Sequence, residues 1–336
     1  MFHHLKIIKK IFVFLIVLFF VVFLFSRGRV FDSSELEYGV TFSKKQAVSL
    51  GLDWQKVFLS SIDELGVKNF RLSAYWDESE PAQGEYVWQD LDWQVNTAKD
   101  KGAKIILAVG GRLPRWPECH YPDWAEKLSK EEREASILDY IKTAVERYKN
   151  NDAITAWQVE NEPFLSHFGD CPVLDKAFLD KEIALVRSLD KRPIVITDSG
   201  ELSVWVPASR RADIFGTTMY LNTYSRMLRG YVRYPIEPGF FRFKKNIANL
   251  FSSPQKWVVI ELQAEPWGPI PYQEMTFEQR SQTMDVKKFR EIVEFARQAG
   301  FREFYLWGVE WWYWEKEQGR GEMWDEARGV FVGAVN

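Results

Sequence analysis

The chain is poor in metal-binding side chains, with two cysteines and four histidines in 336 residues. No His-x-His closes an apolar run, so the ligand set of a metal-dependent barrel hydrolase is lacking. Positive charge is not in surplus either. With the five basic residues of the first thirty set aside, 39 lysines and arginines face 47 acidic residues, a net charge near −8. That balance excludes a nucleic-acid partner, because phosphate neutralisation needs basic surface. Repeats, low-complexity tracts and interdomain linkers are absent, which leaves residues 31–336 as one domain, close to the ~250 residues of a (β/α)8 barrel plus insertions. No G-x-G-x-x-G follows the first strand-like run, as an open dinucleotide-binding sheet would require.

Long apolar runs are missing with one exception, Ile11 to Phe25, preceded by Lys6, Lys9 and Lys10 and followed by Arg27 and Arg29. The run is short for a spanning helix, which needs about 17 to 25 residues, and sits at the long end of a signal-peptide core of roughly 7 to 15. No A-x-A-like site and no nearby cysteine follow it. Residues 1–30 therefore read as an uncleaved signal anchor, with a cleaved signal peptide as the alternative. The leading basic cluster stays cytoplasmic, so both readings place residues 31–336 outside the cytoplasm, membrane-anchored or secreted.

Past the leader, short runs rich in Val, Ile and Phe alternate with longer segments of helical period, the pattern of parallel βαβ units. Eight strands are predicted: Tyr38 to Phe42, Asn69 to Ser73, Lys104 to Val109, Ile154 to Gln158, Pro193 to Thr197, Ile214 to Met219, Trp257 to Glu261 and Phe304 to Trp307. Helices are predicted over Leu91 to Lys101, over Lys130 to Lys149 behind the capping box Ser129-x-x-Glu132, and over Phe277 to Gln298. Closure of eight parallel strands removes both sheet edges, so the fold class is a single (β/α)8 TIM barrel preceded by the membrane-targeting segment. The sixth crossover, Thr223 to Gln255, is long and broken by Pro235, Pro238 and Gly239.

A barrel builds its active site at the carboxyl ends of its strands. Strand four ends Val159-Glu160-Asn161-Glu162-Pro163, where Pro163 biases Glu162 toward extended backbone. Strand seven is a buried β-branched run ending in Glu261, a charge that calls for a partner or a task. The two strands lie opposite each other in a closed barrel, and two facing carboxyls are what glycoside hydrolysis uses.

Asn-Glu-Pro at strand four with a glutamate closing strand seven resembles the retaining clan of (β/α)8-barrel glycoside hydrolases, which holds the family 5 cellulases and mannanases and the barrel β-galactosidases. The likeness runs in order from about Tyr38 to Trp314. It implies Glu162 as acid/base, Glu261 as nucleophile and Asn161 as partner of the sugar 2-hydroxyl. It further implies Arg71 and Tyr220 as supports of the nucleophile and Trp307 as the floor under the reacting sugar. Strand three ends Val109-Gly110-Gly111-Arg112 and strand six Thr218-Met219-Tyr220, where family 5 usually carries histidines, so the resemblance is to the clan.

Plainer readings stand beside these. Glu265 rivals Glu261, Glu160 reads as a structural acid paired with a base that raises the proton affinity of Glu162 if close, and Arg71 fits an ordinary buried ion pair. Fifteen tryptophans are present, and Trp267, Trp307, Trp311, Trp312 and Trp314 crowd the ends of strands seven and eight. Sugar C–H faces can stack on such rings, with Trp267 and Trp307 the candidates, and about half of the five are expected to be packing. Cys119 and Cys171 fall in the loops after strands three and four, and outside the cytoplasm such neighbours pair as a disulfide. The rival is a zinc site adding His120 and His167. The expected partner is a β-linked carbohydrate, hydrolysed by double displacement without cofactor or metal. The alternative is a catalytically silent carbohydrate-binding barrel.

Overall fold

The computed structural model describes residues 10–333 apart from 13, 17–19, 21, 166–167 and 173–174. Eight parallel strands close into a barrel: β1 (Glu37–Thr41), β2 (Asn69–Ser73), β3 (Lys104–Val109), β4 (Ile154–Val159), β5 (Ile194–Asp198), β6 (Ile214–Met219), β9 (Lys256–Gln263) and β10 (Glu303–Trp307). The remaining strands, β7 (Asn222–Ser225) and β8 (Gly230–Arg233), form an antiparallel hairpin in the sixth crossover, ahead of a helix at Pro238–Ala248.

Side-chain alternation divides the strands between two cores. Ile106, Ala156, Val195, Val258, Ile260 and Tyr305 make one apolar cluster inside the barrel, while Ile105, Leu107, Trp157, Val159, Val259 and Leu262 join the larger cluster under the helices. The inner plug fills the barrel and leaves only its mouth for chemistry.

Lys130–Tyr148 starts with the expected capping box, Ser129 and Glu132 each bonding the other's backbone. The helix expected over Phe277 to Gln298 is two, Phe277–Ser281 and Val286–Arg297. Each has its own N-cap, Thr276 in a box with Gln279 and Asp285 accepting from Lys288 N. A second cap inside an apolar period ends one helix and starts another.

Among the described residues, no helix is long and apolar enough to cross a membrane. The anchor expected from Ile11 to Phe25 falls partly outside the described residues. Its end rests on the helix Pro238–Ala248, where Asn246 Nδ2 donates to Phe25 O at 2.7 Å and Arg242 Nε to Ser26 O at 2.7 Å.

Helix Lys176–Leu189 buries Glu182 fully, beside Glu160. Burial, then the charge of Glu160, holds the Glu182 carboxyl protonated well above the ordinary range. Because its folded pKa is raised, its stabilising contribution is complete below the unfolded pKa of about 4.3 and is lost as pH rises through the folded value. Glu182→Gln should therefore leave the melting temperature near that of the wild type at pH 4 to 5 and raise it progressively toward pH 9, as read by thermal melts across that series.

Candidate active site

Two backbone irregularities bring the predicted carboxyls to the mouth. Alternation along β9 points Val258 and Ile260 into the barrel and would send Glu261 outward. The register shifts here against both neighbouring strands, from Thr217↔Val259 to Thr218↔Glu261 on one side and from Phe304↔Val259 to Leu306↔Leu262 on the other. Such a bulge re-aims the side chains that follow it, so Glu261 and Gln263 reach the mouth.

At the end of β4, Glu160 and Glu162 both adopt positive φ, 57° and 42°. Pro163 was expected to hold Glu162 extended. Instead a turn holds it left-handed, with Glu162 N donating to Thr197 Oγ1 at 2.8 Å and Leu165 N to Glu162 O at 2.9 Å. Non-glycine residues in this region store strain of order 1 to 3 kcal/mol. Glu160 turns away from the mouth. Its carboxylate accepts from Gly111 N at 2.8 Å and Arg112 N at 2.6 Å, with no salt bridge to a base among the described residues. Gly110, φ 131°, is a glycine because a Cβ there would collide with that carboxylate. Glu160 is not among the principal charges acting on Glu162.

Arg71, fully buried on β2, connects the two sides of the mouth. Its Nη1 donates to Glu261 Oε1 at 2.7 Å, Nη2 to Asn161 Oδ1 at 2.6 Å and Nε to Gln158 Oε1 at 2.8 Å. Tyr220, just past β6, donates its hydroxyl to Glu261 Oε2 at 3.1 Å. Both oxygens of Glu261 are thus held by hydrogen-bond donors, one of them charged. Asn161 Oδ1 is shared further with Gln158 and Thr197, and its Nδ2 donates to Glu118 Oε2 at 2.9 Å.

The carboxyl of Glu162 accepts no hydrogen bond among the described residues. Burial first, then the charges of Glu261, Glu118 and Asp198, raise its proton affinity well above that of an ordinary glutamate. One carboxyl of the pair is held by a guanidinium and a phenol and the other is biased toward the acid, the division of labour that acid/base chemistry needs. Both are only 5% exposed, so their electrostatics act in a largely water-excluded space.

Glu265, the rival of Glu261, lies past the end of β9 and is committed elsewhere. Arg115 Nη1 binds it at 2.5 Å, Trp307 Nε1 donates to it at 2.8 Å, and Arg115 Nη2 reaches Glu310 at 2.9 Å. The Arg115 guanidinium lies 4.1 Å from the centroid of the Trp307 ring and covers one of its faces. Trp267, half-buried, packs on Tyr220 with centroids 5.5 Å apart and on Phe168 at 5.7 Å. Trp311 and Trp312 are buried packing residues.

Arg115 and Glu118 were not read from the sequence, nor were Gln158, Asp198 and Glu310. The only sequence signal for the first two is the loop Arg112 to Glu118, which places three charges directly after a strand end. Cys119 and Cys171 form a disulfide with Cα atoms 5.4 Å apart, joining the loops after β3 and β4. The zinc alternative is not what the structure has: both cysteines are bonded to each other, His120 packs on Tyr75 and faces Arg115 O at 3.1 Å, and His167 lies outside the described residues.

Against known proteins, residues 30–172, less than half of the chain, match the model of glycosyl hydrolase family 10. The β-galactosidase BgaA of Clostridium cellulovorans is 28% identical over 185 residues, 48% of this chain and 28% of that protein. Mannan endo-1,4-β-mannosidase A of Emericella nidulans is 28% identical over 119 residues, 33% of this chain and 30% of that protein. The chain therefore spans about a third or less of the length of these relatives. Among solved structures, the exo-β-1,4-mannosidase Op5Man5 of an Opitutaceae bacterium superposes with a TM-score of 0.56 at 15% identity, covering 89% of this chain and 60% of that one. A cold-adapted β-galactosidase of Rahnella superposes with 0.58 at 12%, covering 90% and 56%. The family match and the curated relatives agree with the resemblance to the (β/α)8 glycoside hydrolase clan, the solved structures share its fold, and the matched family model is family 10, not family 5.

Replacing Arg71 by Met should destabilise the chain by about 3 to 5 kcal/mol, the usual penalty for leaving a buried charge without its partner. Urea unfolding measures it, and a change below ~1 kcal/mol would show that the guanidinium does not hold the mouth together.

Proposed function

We propose that the chain is a retaining glycoside hydrolase acting on β-linked oligo- or polysaccharides. The reading is carried by one observation: a single buried guanidinium fixes Glu261 and Asn161 side by side, opposite a carboxyl made proton-avid by the same group of charges. In the first displacement Glu261 attacks the anomeric carbon while Glu162 gives its proton to the departing oxygen. In the second, Glu162 takes a proton from water, which attacks the same carbon and releases Glu261. Asn161 offers its remaining N–H to the C2 substituent, Tyr220 and Arg71 hold the nucleophile, and Trp307 and Trp267 give the sugar apolar surface. No step calls for a metal or cofactor. The related sequences and structures are titled as β-galactosidases, mannanases, mannosidases and xylanases, all β-glycosidases, which supports the bond type and leaves the sugar open.

The same proposal places residues 31–336, the catalytic domain, outside the cytoplasm, held by the leader. The disulfide beside the cleft suits an oxidising compartment, and Ile11, Phe12, Phe14, Leu15 and Leu24 are exposed apolar residues, suited to an apolar surrounding.

Glu162→Gln and Glu261→Gln should each lower kcat/KM on an aryl β-glycoside by about 10²- to 10⁴-fold or more, the scale of acid–base and nucleophilic assistance. Both variants should stay folded. Binding without turnover by the wild type would favour the silent barrel instead. Proton NMR of the first-formed sugar should show retained β configuration, and inversion would remove the covalent step. Because the acid form of Glu162 is the active one, the alkaline limb of kcat/KM should fall well above the ~4.3 of a free glutamate and vanish in Glu162→Gln.

A further inference from the structure

Double displacement uses two carboxyls, and the mouth holds a third. Glu118 is 5% exposed, with Oε2 accepting from Asn161 and Oε1 accepting no hydrogen bond among the described residues. The fold commits much to this placement. Arg115 and Glu118 adopt φ of 88° and 75°, values a side chain other than glycine adopts only under constraint. Two backbone bonds, Glu118 N to Arg115 O and Leu113 N to Glu118 O, both 2.8 Å, close the turn. The adjacent Cys119 is tied to Cys171. Across the disulfide loop Gly169 leaves the room, since a Cβ there would press on Glu118 Cβ at 2.8 Å and Cγ at 2.9 Å.

Acids and arginines together set the charge around the third carboxyl. Glu118 feels the charge of Glu261 against Arg112 and Arg71, and Glu162 feels Glu261, Glu118 and Asp198 against Arg112, with Lys244 the cation acting on Asp198. Arg115 adds little because Glu265 and Glu310 neutralise it. Burial, then the charge of Glu261, pushes the Glu118 pKa up to about 7. Asp198 Oδ2 is buried and has no hydrogen-bond partner among the described residues. A buried carboxylate oxygen that accepts no hydrogen bond is matched by a donor that brings positive charge.

Geometry says where on a sugar that cation would be. Asn161 Oδ1 and Glu261 Oε1 share one guanidinium, so a ring whose C1 faces Glu261 sets its C2 substituent against the Asn161 amide. The acceptor beside that amide is Glu118.

We propose that Glu118 reads the C2 substituent of the reacting sugar and that the preferred substrate is a β-glycoside of a 2-amino-2-deoxy sugar, its ammonium paired with the Glu118 carboxylate. An ammonium donates three hydrogen bonds and accepts none, which suits a free carboxylate oxygen. An acetamide at C2 cancels the charge and adds bulk. This inference rests on the glycosidase reading above.

The test compares 4-nitrophenyl β-glycosides of the gluco and galacto series bearing hydroxyl, free amine or acetamide at C2. In the wild type the amine should lead the hydroxyl in kcat/KM by roughly tenfold or more, the scale of one charge-assisted hydrogen bond, and the acetamide should be poorest. The lead should fade above about pH 8 as the amine loses its proton. Glu118→Gln should shrink the amine-to-hydroxyl ratio by about the same factor. An equal loss on both substrates would reduce Glu118 to a support of Asn161 and overturn the proposal. So would a wild type that prefers hydroxyl, whether or not the variant folds. Labelling of Glu261 by 2-deoxy-2-fluoro-glycosyl fluorides, read by intact mass, separates the two levels. A label with hydroxyl preference rejects only the amine, whereas no label and no turnover on any glycoside reject the glycosidase reading with it.

Discussion

The mouth of this barrel depends on one guanidinium. Arg71 has no exposed surface, yet its three donor groups reach residues of two opposed strands, Gln158 and Asn161 of one side and Glu261 of the other. A buried cation of this kind adds little net stability, because desolvation offsets most of the attraction. What it supplies is geometry. The planar fork fixes the distance and tilt between an amide and a carboxylate, and the rest of the mouth is arranged around that pair.

The acids of the mouth sit in different surroundings. Glu261 receives a cation and a phenol, Glu162 receives chiefly neighbouring negative charge, and Glu160 receives two backbone N–H groups and faces a proton-holding Glu182. Residues of one chemical type, a few positions apart, thus do different work because their donors differ.

The fold was legible in the sequence because its signal is periodic. Eight apolar runs matched eight strands with bounds differing by a residue or two, and the capping box at Ser129 marked its helix. Glu162 and Glu261 were legible because charges at the ends of buried runs violate the period. What stayed hidden was aperiodic. The register shift at Ile260 leaves no mark in a β-branched run, and the left-handed turn at Glu162 overrode the preference set by Pro163. The third carboxyl arrives on a loop whose path is set by a bond between two distant cysteines, so no local pattern announces Glu118. The split of the helix after Phe277 was visible in principle, as Asp285 is a good cap, but the apolar spacing on either side runs through it.

The shift in β9 gives the barrel a hidden point of fragility. Val258, Ile260 and Glu261 all point inward only because the strand gains one residue against both neighbours. Ironing the bulge out by a one-residue slip of the strand after Ile260 would set Glu261 opposite Met219, keep every acid in the chain, and turn the carboxylate toward the helical layer. Two homologous chains can therefore share all their acidic residues and differ in whether one of them faces a substrate, according to where along the strand the pairing takes up its extra residue.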